Sequence, residues 1–361
     1  MKVLHVITSL DTGGAERLMV DLLPLLKDRG HEMGLLLFNG ADAPLKEEWA
    51  ATGIPLFELT HPGDIEDKWA TYGPWNIVRL MKYVKKYDIV HTHNTACQFY
   101  TPIAKLLSHA NAKLVTTEHN TTNRRRSMGW YKPIDRWMYN RYDAIICIAD
   151  QTSKNLEQHI GHNSAICTIY NGVNINKFIK PVKNIDRQER FTISMVAGFR
   201  PQKDHATLIK ALSRLPDRFS LQLVGRGETE QEMKNLCSDL GLDQRVSFMG
   251  MRSDVSDILD RSDVIVLSSH WEGLSLSSIE GMASGRPFVA SDVEGLRDVV
   301  AGAGVLFPQG DDEALARAIQ ELCENPARYK EVALACQERA KRYDISLMAD
   351  GYDKLYRSLF K

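Results

Sequence analysis

Short apolar runs alternate with longer amphipathic stretches along the whole chain. Runs at 2–8, 33–38, 88–92, 113–117, 143–149 and 165–169 are rich in β-branched residues and nearly continuous in hydrophobicity. A second series lies at 191–197, 219–224, 245–248, 263–268 and 287–291. Such continuity predicts parallel strands buried on both faces. Helical periodicity fills the gaps, at 14–29, 74–86, 98–109, 151–159, 204–214, 229–240, 253–261 and 276–284. The alternation predicts an α/β chain with doubly wound parallel sheets. Between the two series, 174–190 is polar with the single Pro181 and reads as an interdomain connection. Residues 310–361 are helical in pattern. Ile345, Met348, Tyr352, Leu355 and Leu359 recur there at spacings of three and four, so they line one apolar face.

The length, 361 residues, fits two domains. A hydrophobic content of 43% and a charged content of 25% are those of a soluble globular protein. The net charge of −1 offers no field that would draw nucleic acid. Cys97, Cys147, Cys167, Cys237, Cys323 and Cys336 form no C-x-x-C pair and read as reduced residues of a cytoplasmic protein. The opening MKVLHVITSL runs straight into Asp11-Thr12-Gly13-Gly14, which predicts a first strand and not a signal peptide. No apolar run is long enough to span a membrane.

Candidate chemistry concentrates in His270-Trp271-Glu272-Gly273-Leu274-Ser275-Leu276-Ser277-Ser278-Ile279-Glu280. Two carboxylates flank a small-residue segment that opens a helix. The free N–H groups and dipole of a helix N-terminus bind anions. A phosphate between two polyhydroxyl groups fits such a site, which is the layout of a nucleotide sugar. Upstream, Gly198-Phe199-Arg200-Pro201-Gln202-Lys203 brings cations suited to a diphosphate leaving group. Gly225 and Gly227 let a strand-ending turn approach a ligand closely. Thr12-Gly13-Gly14-Ala15-Glu16-Arg17 is a glycine-rich loop after the first strand, but it has neither P-loop nor full G-x-G-x-x-G spacing. His91 and His93 share an i, i+2 spacing, yet no carboxylate or cysteine nearby completes a ligand set, so no metal is expected.

These motifs resemble the retaining glycosyltransferases of family 4, whose E-x7-E signature Glu272 and Glu280 match. The resemblance runs from Lys2 to about Pro308. It implies the GT-B architecture: two Rossmann-like domains, 1–178 and 190–344, facing a cleft, with a final helix at about 345–361 returning to the first. It implies that Glu280 binds ribose hydroxyls and that Glu272 faces the donor sugar. Gly273 leaves room for that sugar, and the N–H groups of Leu274, Ser275 and Leu276 hold the diphosphate. Lys203 matches the family's phosphate lysine. The arginine expected five positions earlier is replaced by Gly198, so either Arg200 reaches the phosphate or one cationic contact is missing. Gly225 lies near the nucleotide; Arg252 either stacks on the base or is solvated. Gly13 and Gly14 approach the sugar or its phosphate, and His119 orients a sugar hydroxyl. Acceptor-side candidates are His93 and the basic Arg124, Arg125 and Arg126, which suit an anionic headgroup at a membrane surface or remain a solvated loop.

The implied activity is transfer of a sugar from a nucleotide diphosphate sugar, UDP-linked or GDP-linked, with retention of configuration. The acceptor is a glycan or a lipid-linked precursor in polysaccharide biosynthesis. The nucleotide sugar is a substrate, so no cofactor and no metal is expected, and the location is cytoplasmic or peripheral at the inner membrane face. A nucleotide-sugar epimerase of related fold and a non-catalytic sugar-nucleotide-binding subunit are the alternatives.

Overall fold

A computed structural model describes residues 1–11, 13–41, 43–60, 67–119, 128–186 and 189–361. The chain forms two compact units, 1–172 together with 345–361, and 173–344. Unit 1 carries the strands β1 (Lys2–Ile7), β2 (Glu32–Asn39), β3 (Leu56–Thr60), β4 (Ile89–His93), β5 (Lys113–Glu118), β6 (Ala144–Cys147) and β7 (Ile166–Thr168). They pair in the order β3-β2-β1-β4-β5-β6-β7, all parallel. Unit 2 carries β8 (Phe191–Val196), β9 (Phe219–Val224), β10 (Val246–Gly250), β11 (Val264–Leu267), β12 (Phe288–Ser291) and β13 (Val305–Phe307). Their order is β10-β9-β8-β11-β12-β13, again all parallel. Strand order reverses between β1 and β4 and between β8 and β11. Loops leaving the carboxyl ends of those strands therefore splay to opposite faces and open a crevice in each sheet.

Alternation along the strands separates two core layers in unit 1. Val3 and Ile7 of β1, Ile89 of β4 and Val115 of β5 pack with Leu18, Leu22 and Leu26 of the first helix and with Ile345, Met348, Tyr352 and Tyr356 of the last. The opposite parity, with Leu4, Val6, Val90 and Leu114, packs against Leu80, Val84 and Ala104. A side chain of this size contributes about 1.5–3 kcal/mol when fully buried. The last helix spans Ile345–Ser358. Its apolar face differs from the pattern read in the sequence. Tyr356 is fully buried, whereas Leu355 and Leu359 pack only partly against the core.

The unit boundary also differs from the connection read at 174–190. It falls at 172/173, because the polar segment is tied onto unit 2. Val173 donates its N–H to the Tyr343 carbonyl at 2.9 Å, Lys183 pairs with Asp263 at 2.6 Å, and Ile175 and Ile185 are buried. The short strands β3 and β13 were not expected. Leu56–Phe57 and Val305–Leu306 are only partly buried, so their hydrophobic signal is weak. Among the described residues no helix is long and apolar enough to cross a membrane.

Candidate active site

In unit 2, loops 197–204 and 268–275 leave β8 and β11 at the strand-order reversal. Serines at the strand ends fix them. Ser268 donates to the Asp204 carbonyl at 2.8 Å and Ser291 to the Ser269 carbonyl at 2.5 Å. Asp204 adopts φ +47° and its carboxylate caps the helix His205–Arg214 through Thr207. This tight end brings Lys203 to Glu272. Lys203 Nζ donates to Glu272 Oε1 at 2.5 Å, and Ser269 Oγ donates to the same oxygen at 2.6 Å. Gln202 Nε2 donates to the Trp271 carbonyl at 2.8 Å, and approaches Glu272 Oε2 at 3.5 Å. Glu272 is only 7% exposed. The lysine expected on the phosphate and the carboxylate expected on the sugar are thus one ion pair in this structure.

The helix Leu276–Ala283 starts beside that pair. Ser275, its N-cap, makes no side-chain bond to the first-turn N–H groups and instead meets Ser277 Oγ at 3.0 Å. The first-turn N–H groups are therefore left without a side-chain cap. Glu280 stands one turn further along, partly exposed. Gly273 is partly exposed beside Glu272. Gly295 lies in the segment 292–300, which resembles a family loop beside the nucleotide or else is structural, and here it fixes the Glu272 loop. It has φ +83°, and a Cβ there would collide with the carbonyls of Glu272 and Gly273.

Gly225 has φ +145°, and a Cβ would strike the Ala197 carbonyl, so the turn after β9 closes tightly on the loop after β8. At Gly198 there is space for a side chain, and Arg200 Nε lies 3.9 Å from where its Cβ would stand. Arg200 is exposed, and its guanidinium has no hydrogen-bond or ion-pair partner among the described residues. Arg252 is held by Asp254, with contacts of 2.8 and 2.7 Å.

In unit 1, Gly13 precedes the helix Gly14–Asp28 without a side-chain cap. The Glu16 carboxylate folds over it, into the place a Cβ on Gly13 would take. Burial pushes the Glu16 carboxyl up from its ordinary range. His119 follows β5 and is partly exposed. His93 does not line an acceptor surface: it is fully buried, and its ring nitrogens meet His5 at 2.9 Å and His119 at 2.8 Å. Arg124, Arg125 and Arg126 lie outside the described residues.

The third histidine absent from the sequence reading of His91 and His93 is His5, brought alongside His91 by the β1–β4 register. The signal was a polar residue inside an otherwise apolar strand. One nitrogen from each of the three rings lies within 4.8 Å of the others, and His5 and His93 meet edge to edge through a hydrogen bond of 2.9 Å. Every ring nitrogen of the three is hydrogen-bonded within the protein.

Two Rossmann-like sheets, each with its reversal point, and a carboxylate–lysine pair beside an uncapped helix start fit the GT-B glycosyltransferase class. The family comparison agrees. The model described as Glycosyltransferase Family 4 matches residues 12–177 and that of Glycosyl transferases group 1 matches residues 176–343. The chain belongs to this family and is a glycosyltransferase that uses a nucleotide sugar. The putative glycosyltransferase EpsD of Bacillus subtilis is 29% identical over 301 residues, 74% of this chain and 76% of that protein. An Escherichia coli relative, UDP-Gal:alpha-D-GlcNAc-diphosphoundecaprenol alpha-1,3-galactosyltransferase, is 28% identical over 268 residues, 68% and 69% of the two chains. The crystal structure of Anabaena Alr3699/HepE in complex with UDP-glucose matches the fold with a TM-score of 0.84 at 23% identity, covering 99% of this chain and 100% of the other.

Proposed function

We propose that the chain transfers a sugar with retention of configuration from a UDP-sugar, or else a GDP-sugar, to a glycan or lipid-linked acceptor in polysaccharide assembly, without a metal or other cofactor. The observation that carries this reading is the buried Lys203–Glu272 pair beside the uncapped start of the helix Leu276–Ala283. The diphosphate sits on the N–H groups of Leu274, Ser275 and Leu276. Lys203 and Arg200 take up its developing charge, and Arg200 occupies the place of the arginine missing at 198. Glu272 accepts from the donor sugar with Gly273 leaving it room, and Glu280 accepts from the ribose. Gly225 keeps its turn close to the nucleotide. In unit 1, Gly13 and Gly14 bind sugar or phosphate, and His119 orients a sugar hydroxyl.

Glu272 is already engaged by Lys203, Ser269 and Gln202. That favours a front-face reaction over a covalent glycosyl-enzyme. The bond from the anomeric carbon to the diphosphate oxygen breaks. The acceptor oxygen bonds to the same face, and its proton passes to the departing phosphate oxygen. The names of the relatives support a UDP donor and, in the Escherichia coli protein, a lipid-linked acceptor. Exposed Trp130, Ile134 and Trp137, next to Lys132, support peripheral contact with a membrane that carries such an acceptor.

The test is release of nucleotide diphosphate from a panel of UDP- and GDP-sugars with lipid-linked acceptors, with and without EDTA. The expected result is acceptor-dependent release, undiminished by EDTA, into a product that keeps the donor's anomeric configuration. Donor binding with no release, or an inverted product, contradicts the reading. Glu280→Ala is expected to weaken binding of the nucleoside diphosphate itself roughly ten-fold, through lost hydrogen bonds to a charged acceptor; unchanged affinity contradicts the ribose role.

A further inference from the structure

Behind His119 runs an unbroken series of hydrogen bonds through the unit 1 core. His119 Nε2 meets His93 Nδ1 at 2.8 Å, and His93 Nε2 meets His5 Nδ1 at 2.9 Å. His5 Nε2 meets the Tyr356 hydroxyl at 3.1 Å, which meets His91 Nδ1 at 2.6 Å. His91 Nε2 meets Thr117 Oγ1 at 2.7 Å, and Thr117 meets the Tyr352 hydroxyl at 3.0 Å. His5, His91, His93, Tyr352 and Tyr356 are all 0% exposed. Tyr352 has no other hydrogen-bond partner among the described residues. The chain therefore ends inside the protein at one end and at the partly exposed His119 at the other.

Neutral imidazoles and hydroxyls each bring one hydrogen to such a chain; an imidazole donates through one nitrogen and accepts through the other, and a hydroxyl donates once and can accept twice. A turn in direction at Tyr356 or Thr117, with that hydroxyl accepting from both sides, strands its own hydrogen inside the protein. If the bonds all run inward, His119 donates through Nε2 and the last hydrogen, on Tyr352, has no acceptor. If they run outward, Tyr352 donates to Thr117, Thr117 to His91, His91 to Tyr356, Tyr356 to His5, His5 to His93 and His93 to His119. Every buried hydrogen is then accepted, and only a weak phenol lone pair is left over. A buried donor without an acceptor lowers the population of the inward state roughly ten-fold or more.

We propose that Tyr356, oriented by His91, Thr117 and Tyr352, is a positioning residue that locks His119 as the tautomer protonated on Nδ1, so that His119 offers substrate a hydrogen-bond donor and not an acceptor. His119 Nδ1 has no partner among the described residues. Burial holds His5 at about 3 and His119 at about 4, and holds His91 and His93 well below the ordinary imidazole value. The chain is thus neutral at ordinary pH, as the one-way pattern requires. The part played by His119 toward substrate rests on the proposed function; the lock itself does not.

The test is long-range proton–nitrogen correlation NMR on the full chain labelled with ¹⁵N-histidine, His119 being assigned by its loss in His119→Gln. Wild type is expected to show His119 protonated on Nδ1. Tyr356→Phe, which differs by one hydroxyl, leaves His5 Nε2 without a partner in either direction, so both tautomers of His119 are expected in comparable amounts. Met348→Leu, on the same helix but outside the chain, is expected to keep the wild-type tautomer. Protonation of His119 on Nε2 in wild type, or an unchanged tautomer in Tyr356→Phe, overturns the proposal. With half the protein in the competent tautomer, Tyr356→Phe is expected to lose about two-fold in donor kcat/KM. A mixed tautomer with full activity upholds the lock and removes His119 from the substrate contacts.

Discussion

Both units bury polar groups in or just after their parallel strands, and they satisfy them in opposite ways. In unit 2 the groups are formally charged: the Glu272 and Lys203 side chains are 6% and 17% exposed and compensate each other. In unit 1 they are neutral, and the histidines around His5 satisfy one another hydrogen by hydrogen. A buried ion pair is held only while both partners remain, because removal of one strands the other. A neutral chain tolerates the loss of a link at less cost, but it has a direction to lose. On the proposed function, the charged site meets a leaving diphosphate. The neutral one is suited to holding a group in a chosen tautomer.

The largest effect is expected where the charged site is broken. Lys203→Met leaves Glu272 buried without its partner, and unit 2 is expected to lose about 3 kcal/mol in denaturant unfolding. kcat/KM is expected to fall on the order of a thousand-fold, as when one preorganised charge contact to a transition state is lost. Adding Glu272→Leu to that variant is expected to recover much of the stability and none of the activity. A double variant no more stable than Lys203→Met would show that the two residues do not depend on each other.

Gly295→Ala attacks the same site through its backbone. With φ +83° and the carbonyls of Glu272 and Gly273 in the way, a methyl group must displace the loop that presents Glu272. About 1–3 kcal/mol of stability and roughly ten-fold in kcat/KM are expected to go. Unchanged kinetics would show that the loop can move without consequence.

Acid separates the two units. Burial lowers the imidazole values of His5, His31, His91, His93 and His119 in unit 1, and of His205, at about 4, in unit 2. An unfolded histidine, near 6.5, binds its proton first as pH falls. The unfolded state then holds more protons than the folded one, and stability drops. It is expected to be full above about pH 6.5 and to decline toward pH 4, with unit 1 melting before unit 2 in thermal unfolding followed across that window. Earlier melting of unit 2 would show that the charged pair, and not the histidines, governs acid sensitivity.

The same contrast decides what was legible in the sequence. The strands of both sheets were visible, because burial on two faces leaves runs such as KVLHVI and VIVL. The unit 2 site was visible too, since Glu272, Gly273, Ser275 and Glu280 are consecutive or nearly so and Lys203 belongs to one short loop. The imidazole chain was not. His5 and Tyr356 lie 351 positions apart, and only the β1–β4 register and the last helix bring them together. A lone histidine in a strand and two tyrosines on an amphipathic helix carry no local signature. Nor does spacing alone show that His93 turns inward; the sheet's parity settles it, with Ile89, His91 and His93 on the face covered by the last helix.

The smallest effect is expected at Arg252, whose sequence left base stacking and solvation both open. The structure gives it a third occupation, a two-pronged contact with Asp254 at the surface, its side chain 41% exposed. To stack on a base it would have to leave that carboxylate, whereas Arg200 has no such partner to leave. Surface pairs of this kind add little to stability, since water and salt screen them. Arg252→Ala is therefore expected to leave Tm within about 1 °C of wild type. It is expected to change donor affinity less than about two-fold, below the effect of Arg200→Ala, because the proposed function places only Arg200 on the diphosphate. A ten-fold loss in Arg252→Ala, matched by Asp254→Asn, would mean that the pair orients Arg252 for the base and that unit 2 extends its charged site to the surface.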